Sequence, residues 1–209
     1  MMNMKLYMTP GSCTTGIHIL MEELDLVFEA HLVNLLNNDH KTPEYMAMNP
    51  KSNIPVLITN EGSVITEFQA IAYWLARRYP KAGLLSDNLD DEIRIIEMMD
   101  YVVATVHMQG FARIFTTDKF TPNESDYEWV KQQGREIIDN AFAVINQSLK
   151  DKDYIVNQFS IADAALFYVE FWADKIDIAM PDHCQAHYMT MLKRQTVRQV
   201  LMEEGYTIS

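Results

Sequence analysis

The 209-residue chain has only two cysteines, Cys13 and Cys184, far apart and in no CxxC or CxxH arrangement. That excludes a disulfide framework and a thiolate zinc site, and it points to a reducing, cytoplasmic setting. No apolar run reaches membrane-spanning length, and the start, MMNMKLYM, passes straight into a strand pattern without the basic flank and apolar core of an export signal. Positive charge is scarce: 17 Lys and Arg against 29 Asp and Glu give a net charge of −12, which repels phosphate backbones and anionic lipid, so neither nucleic acid nor membrane is expected as a partner. There is no Gly-rich phosphate loop, GxSxG elbow or HExxH, which leaves nucleotide hydrolysis, serine hydrolysis and zinc proteolysis unsupported. No metal ligand set is evident, and the fourteen methionines are expected to fill irregular gaps in helical packing.

What is present is an ordinary globular composition, 48% apolar and 22% charged, in a chain longer than most single domains. The charge is uneven: up to Ser86 six basic residues face eight acidic ones, and the remainder carries eleven against twenty-one. The first module is therefore the part that can accept an anionic ligand. Met4 to Met8 reads as a buried strand closed by Thr9-Pro10-Gly11. A helix with Ile17, Leu20, Met21 and Leu24 on one stripe follows, then a second strand over Phe28 to Leu35. Val56 to Ile58 and Val64-Ile65, separated by Glu61-Gly62, form a hairpin. Thr66 to Tyr79 is helical, with Thr66 and Gln69 as a capping box and Pro80 as the stop. The expected organisation is an α/β module over 1–80, a linker over 81–91 and an all-helical domain over 92–209, with helices near Glu92 to Phe115, Ser125 to Lys150, Ser160 to Lys175, Cys184 to Arg194 and Thr196 to Glu203.

Four places can carry chemistry. Cys13 falls at the first turn of the first helix, where unpaired N–H groups and the helix dipole favour a thiolate; the alternative is a thiol packed as a small hydrophobe. Ile54-Pro55 precedes a strand, where proline serves either as a trans strand breaker or as a cis bond that turns the polar backbone of Ile54 toward a ligand. Glu67 at a helix start either complements the dipole or, with the free N–H groups beside it, holds both ends of an amino-acid zwitterion. His107 in the first long helix of the second domain faces either the core or a cleft. Ser160-Ile161-Ala162-Asp163 is a capping box with a folding role.

Met4-Lys5-Leu6-Tyr7 with Pro10-Gly11-Ser12-Cys13, Asn49-Pro50-Lys51 with Ile54-Pro55-Val56-Leu57, Thr66-Glu67 with Ala70-Ile71 and Tyr73-Leu75, and Phe159-Ser160-Ile161-Ala162-Asp163 occur in an order that resembles the cytosolic glutathione S-transferases, and more narrowly the bacterial beta class. The resemblance spans nearly the whole chain. It implies a thioredoxin-like first domain (βαβ-ββα), an all-α second domain, a homodimer, no cofactor, and glutathione as co-substrate beside a small hydrophobic electrophile. It further implies that Cys13 and His107 serve the glutathione sulfur, that Asn53, Ile54, Pro55, Glu67 and Phe68 line the tripeptide, and that Met108, Phe111, Phe115 and Tyr168 line the electrophile pocket. The sequence departs from the pattern at Phe68, where a serine is usual, at Met8 in place of a tyrosine, at Asn37 in place of a lysine, and at Asn157 in place of a glycine. Two other activities fit the same residues: thiol-disulfide exchange through Cys13, and a non-catalytic binding or regulatory role.

Overall fold

A computed structural model of the chain describes residues 3–207. The chain forms two compact units, Met1–Leu85 with Leu192–Ser209, and Ser86–Met191. The first unit is built on a four-stranded sheet of order β2-β1-β3-β4. In β1 (Met4–Met8) the alternation of the sequence becomes alternation in space, with Met4, Leu6 and Met8 buried and Lys5 and Tyr7 half-buried on the opposite face. α1 (Thr14–Glu23) is the crossover that brings β2 (Phe28–Leu32) parallel to β1, Leu6 lying opposite Ala30. β3 (Val56–Ile58) and β4 (Val64–Thr66) form the expected hairpin, β3 antiparallel to both of its neighbours. Between β2 and β3 lies the short α2 (Pro43–Met48), whose start is capped by Thr42 accepting from the Tyr45 N–H. This is the thioredoxin-like arrangement that the βαβ-ββα order implies.

Three local expectations shift. The second strand ends at Leu32 instead of Leu35: the Val33 N–H still reaches the Met8 carbonyl at 2.8 Å, but Asn34 then turns onto the Asp39 carboxylate at 3.0 Å. α3 (Phe68–Arg78) starts two residues later than Thr66. Thr66 is the last residue of β4, its hydroxyl accepts from Lys51 Nζ at 2.9 Å, and Glu67 turns the chain with φ 75°, so no capping box with Gln69 forms. α1 has no single apolar stripe either. Every residue from Thr14 to Met21 is buried, because β1, α3 and α9 (Gln195–Glu203) all pack on it.

α9 and the turn before it group with the first unit, not with the helical domain expected over 92–209. Long-range polar contacts account for this. Arg194 donates to both oxygens of Glu23, at 2.9 and 2.7 Å, Thr196 bonds the same carboxylate, and the Gly11 N–H donates to Glu204 Oε2 at 2.7 Å. Gly11 has φ 71°, and a Cβ there would lie 1.9 Å from the Tyr206 hydroxyl oxygen. The close approach of the chain's end thus requires glycine.

In the second unit the Asn88 side chain accepts from the Asp90 and Asp91 N–H groups and starts α4 (Leu89–Tyr101). The path expected as one helix to Phe115 is continuous but changes pitch, passing through a π-type stretch over Val102–Phe111 before α5 (Ala112–Phe115). α6 (Tyr127–Ser148), α7 (Ile161–Lys175) and α8 (Asp182–Lys193) follow. α7 is the central helix, with thirteen consecutive residues, Ile161 to Ala173, buried, and the Ser160–Asp163 capping box is formed, the Ser160 N–H donating to Asp163 Oδ2 at 2.8 Å. The π-type stretch meets α6 closely: a Cβ on Gly134 would lie 2.8 Å from the Gly110 carbonyl oxygen.

Candidate functional site

Cys13 is the N-cap of α1, half-buried, with its Sγ 4.0 Å from the Ile54 carbonyl oxygen. The helix start is not an open row of donors. The Thr14 N–H donates to Ser12 Oγ at 3.1 Å, the Thr15 N–H to the Ser12 carbonyl at 3.1 Å, and the Gly16 N–H to the Cys13 carbonyl at 3.2 Å. Burial is the dominant influence on the thiol and pushes it up to about 12. The Glu67 carboxylate adds to the rise, and donors from Ser12, Thr14 and the Cys13 backbone only partly offset it. Of the two readings of Cys13, thiolate at a helix start or packed thiol, the burial favours the neutral thiol.

Ile54-Pro55 is a cis peptide. The β1–β3 ladder ends at Tyr7 opposite Val56, so the backbone of Ile54 is not spent on the sheet. The loop before it is anchored by Asn53, whose carbonyl accepts from the Tyr45 hydroxyl at 2.7 Å and from Asn49 Nδ2 at 2.8 Å, while its side-chain oxygen also accepts from Asn49 Nδ2. Asn53 is thus turned inward and positions Ile54. Pro55 is buried.

Glu67 is exposed and paired with Lys51, Nζ to Oε1 at 2.7 Å. The Phe68 ring is buried, only 4% exposed, so the residue that replaces the usual serine joins the core and presents backbone alone at the start of α3. Asn37, where a cation was expected to be missing, donates from Nδ2 to Asp39 at 2.8 Å. Met8 packs in the core and supplies no hydroxyl.

His107 lies on the π-type stretch of the second unit, half-buried. Its Nδ1 is 3.3 Å from the Tyr168 hydroxyl, and its ring meets Trp172 edge-on with centroids 4.8 Å apart. Burial depresses it to about 4, so the imidazole is neutral. Of the residues expected to line an electrophile pocket, Met108 and Phe115 are exposed, at 54% and 48%, whereas Phe111 and Tyr168 are wholly buried. Phe111, Phe115 and Tyr168 share a cluster centred on Trp172, at centroid distances of 5.3, 5.4 and 4.9 Å.

Two residues escaped the sequence reading. Trp172 lies one helical turn after Tyr168, an i,i+4 pair of aromatics whose spacing is its signal. Lys51 sits in the Asn-Pro-Lys turn, a cation next to a helix start that carries a glutamate. A third group, buried in the second unit, has no local signature: His187 bonds Glu170 through Nδ1 at 2.8 Å and Asp163 through Nε2 at 3.2 Å. Burial opposes the charge on His187, but the two carboxylates outweigh it and hold the imidazolium well above its ordinary range.

Comparison with known proteins gives the chain a family. The chain matches the family profile described as glutathione S-transferase, N-terminal domain, over residues 11–78, and that described as glutathione S-transferase, C-terminal domain, over 127–198. It is 33% identical over 207 residues to glutathione S-transferase GstA of Escherichia coli O157:H7, covering 97% of this chain and 99% of that protein. Among solved structures, the beta class glutathione S-transferase of Sphingomonas chungbukensis superposes with a TM-score of 0.83 at 26% identity, over 97% of this chain and all of that one. A sphingomonad glutathione S-transferase solved in complex with glutathione gives a TM-score of 0.83 at 28% identity, with the same coverage.

Proposed function

The chain belongs to the glutathione S-transferase family, and on that footing we propose that its first unit binds glutathione and that the protein joins the tripeptide's sulfur to a small hydrophobic electrophile. The observation that carries this reading is the convergence at one edge of the first unit of Cys13 Sγ, 4.0 Å from the Ile54 carbonyl, and an Ile54 backbone left free of the sheet. In this reading the Ile54 backbone bonds the cysteinyl residue of glutathione. Glu67 holds the γ-glutamyl amine, and the backbone N–H groups at the start of α3 take its carboxylate in place of the missing serine hydroxyl. Asn53 and Pro55 position Ile54, and Phe68 anchors the start of α3 through its buried ring. The glutathione sulfur gives its proton to water, its lone pair forms the new S–C bond, and the electrophile's leaving group or π-bond takes up the displaced electron pair.

Cys13 contributes as a hydrogen-bond donor that stabilises the charge developing on the glutathione sulfur, a role suited to a neutral thiol. Its raised pKa weighs against thiol-disulfide exchange, for which it would have to be the attacking thiolate. His107, as a neutral imidazole, can donate from one nitrogen and accept at the other. The exposed Met108 and Phe115 supply apolar surface for the electrophile, with Phe111, Tyr168 and Trp172 as their support. The protein acts in this reading as a cytoplasmic homodimer; no described helix is long and apolar enough to cross a membrane. Light scattering that gives a monomer at micromolar concentration removes the dimer.

The test pairs calorimetric titration of glutathione with a spectrophotometric conjugation assay on an activated aryl halide. Saturable binding with turnover above the uncatalysed rate is expected, and both surviving in Cys13→Ala at reduced rate separates conjugation from exchange. Absence of binding and turnover leaves the non-catalytic role as the better account.

A further inference from the structure

Away from the residues assigned to glutathione, α1 and α9 bring three metal-ligating side chains of the first unit together. His18 is nearly inaccessible, its side chain 6% exposed, and its Nε2 faces Glu203 Oε2 at 3.3 Å and Glu22 Oε1 at 4.0 Å. The three ligand atoms all lie within 4.8 Å of one another. His18 and Glu22 are an i,i+4 pair on one helix face, while Glu203 arrives from the far end of the chain, which is why no motif marks the group.

Each ligand is oriented by a partner behind it. His18 Nδ1 is 3.0 Å from Glu204 Oε1, and the other oxygen of Glu204 accepts from the Gly11 N–H and the Thr15 hydroxyl, both at 2.7 Å. Gln199 Nε2 donates to Glu22 Oε2 at 3.2 Å and to Glu203 Oε1 at 2.9 Å. One oxygen of each carboxylate is thereby tied back, and the other is left facing His18 Nε2. A histidine whose distal nitrogen is held by a carboxylate, with hydrogen-bonded carboxylates as co-ligands, is how the side chains around a metal centre orient its ligands. Charge argues the same way. Three glutamates, Glu22, Glu203 and Glu204, surround one imidazole here. A cavity of about 320 Å³ bordered by His18, Glu22, Glu203 and Glu204 provides an entry path.

We propose that this group binds a divalent first-row transition cation, with His18 Nε2, Glu22 Oε1 and Glu203 Oε2 as protein ligands and water completing the shell. Ligands at about 2.0–2.2 Å from a common ion lie no more than roughly 4.4 Å apart, so the observed spacing closes by adjustments of under about 1 Å in two glutamate side chains. The imidazole nitrogen favours zinc-like ions over magnesium, which prefers an all-oxygen shell. The ion would tie α1 to α9 and has no part in the conjugation proposed above.

The test is calorimetric titration of the chelator-stripped full-length chain with Zn²⁺, run beside thermal melts. One equivalent bound and a raised melting temperature are expected, with no effect of Mg²⁺ at the same concentration. Glu203→Gln, at a half-exposed side chain, is expected to weaken Zn²⁺ binding tenfold or more, and Glu22→Gln/Glu203→Gln to abolish that equivalent. Circular dichroism of both variants reports that they are folded. Absence of Zn²⁺ binding by the unmodified chain, or binding of equal affinity and stoichiometry by the folded double variant, overturns the proposal.

Discussion

Cys13 offers a sharp test because two expectations about it differ by orders of magnitude. A thiol at its ordinary value of 9.0 is about 3% ionised at pH 7.5, whereas one pushed up to about 12 is about 0.003% ionised, roughly a thousandfold less. The thiolate of the weaker acid is the better nucleophile. With a Brønsted slope of about 0.4–0.5 the three-unit rise returns roughly twentyfold, so Cys13 should react with a small aromatic disulfide about fiftyfold more slowly than free cysteine at pH 7.5. The assay is absorbance-monitored reaction with a dithiodipyridine reagent from pH 6 to 10 on the ligand-free protein, with Cys13→Ser to measure the contribution of the wholly buried Cys184. The logarithm of the rate should climb by about one per pH unit across the whole range without levelling. A plateau below pH 9, or a rate equal to that of free cysteine, would show that the donors at the start of α1 outweigh burial, and it would return disulfide exchange to contention.

Glu67→Gln should weaken glutathione binding by about ten- to a hundredfold, the worth of a charge-assisted hydrogen bond of roughly 1.5–3 kcal/mol. Because its partner Lys51 is half-exposed, stability should change by under about 1 kcal/mol; calorimetry and a urea melt check the two, and unchanged affinity removes Glu67 from the site. His187→Ala strips the cation from buried Glu170 and Asp163 and should cost on the order of 3–5 kcal/mol in a denaturant melt; a loss below 1 kcal/mol means that the two carboxylates are relieved in another way. His107, depressed to about 4 from an ordinary 6.5, binds fewer protons folded than unfolded. The stability it contributes is complete above pH 6.5 and is lost as the pH falls from 6.5 toward 4. Its imidazole resonances should titrate near 4 by NMR, and a midpoint near 6.5 would contradict the burial argument.

Legibility in the sequence followed the range of the interaction. The βαβ order, the hairpin at Glu61-Gly62 and the Ser160–Asp163 cap depend on neighbours a few residues apart, and they could be read directly. Ile54-Pro55 stood out for the same reason, although its cis isomer could not be separated from trans by local chemistry alone. What could not be read depends on distant chain. The start of α1 looked one-sided and electropositive because nothing local announces that α9 packs on this helix. Glu67 was legible, but Lys51 was not, since their pairing spans the hairpin. Tyr168 was read as pocket lining because aromatics on a helix do not declare their direction, and Trp172 one turn later turned out to be the hub. The π-type stretch likewise has no composition that distinguishes it from ordinary helix.

The return of Leu192–Ser209 to the first unit has a consequence for how the polypeptide matures on the ribosome. Nascent chains ordinarily fold in the order in which they emerge, but here the earliest segment draws some of its polar partners from the latest. Until Arg194 and Glu204 have been synthesised, Glu23 lacks Arg194, and Gly11 and His18 lack Glu204, whereas Ser86–Met191 is already complete. All four strands lie within Met4–Thr66, so what the late segment completes is the polar anchoring of α1 and the turn before it, not the sheet.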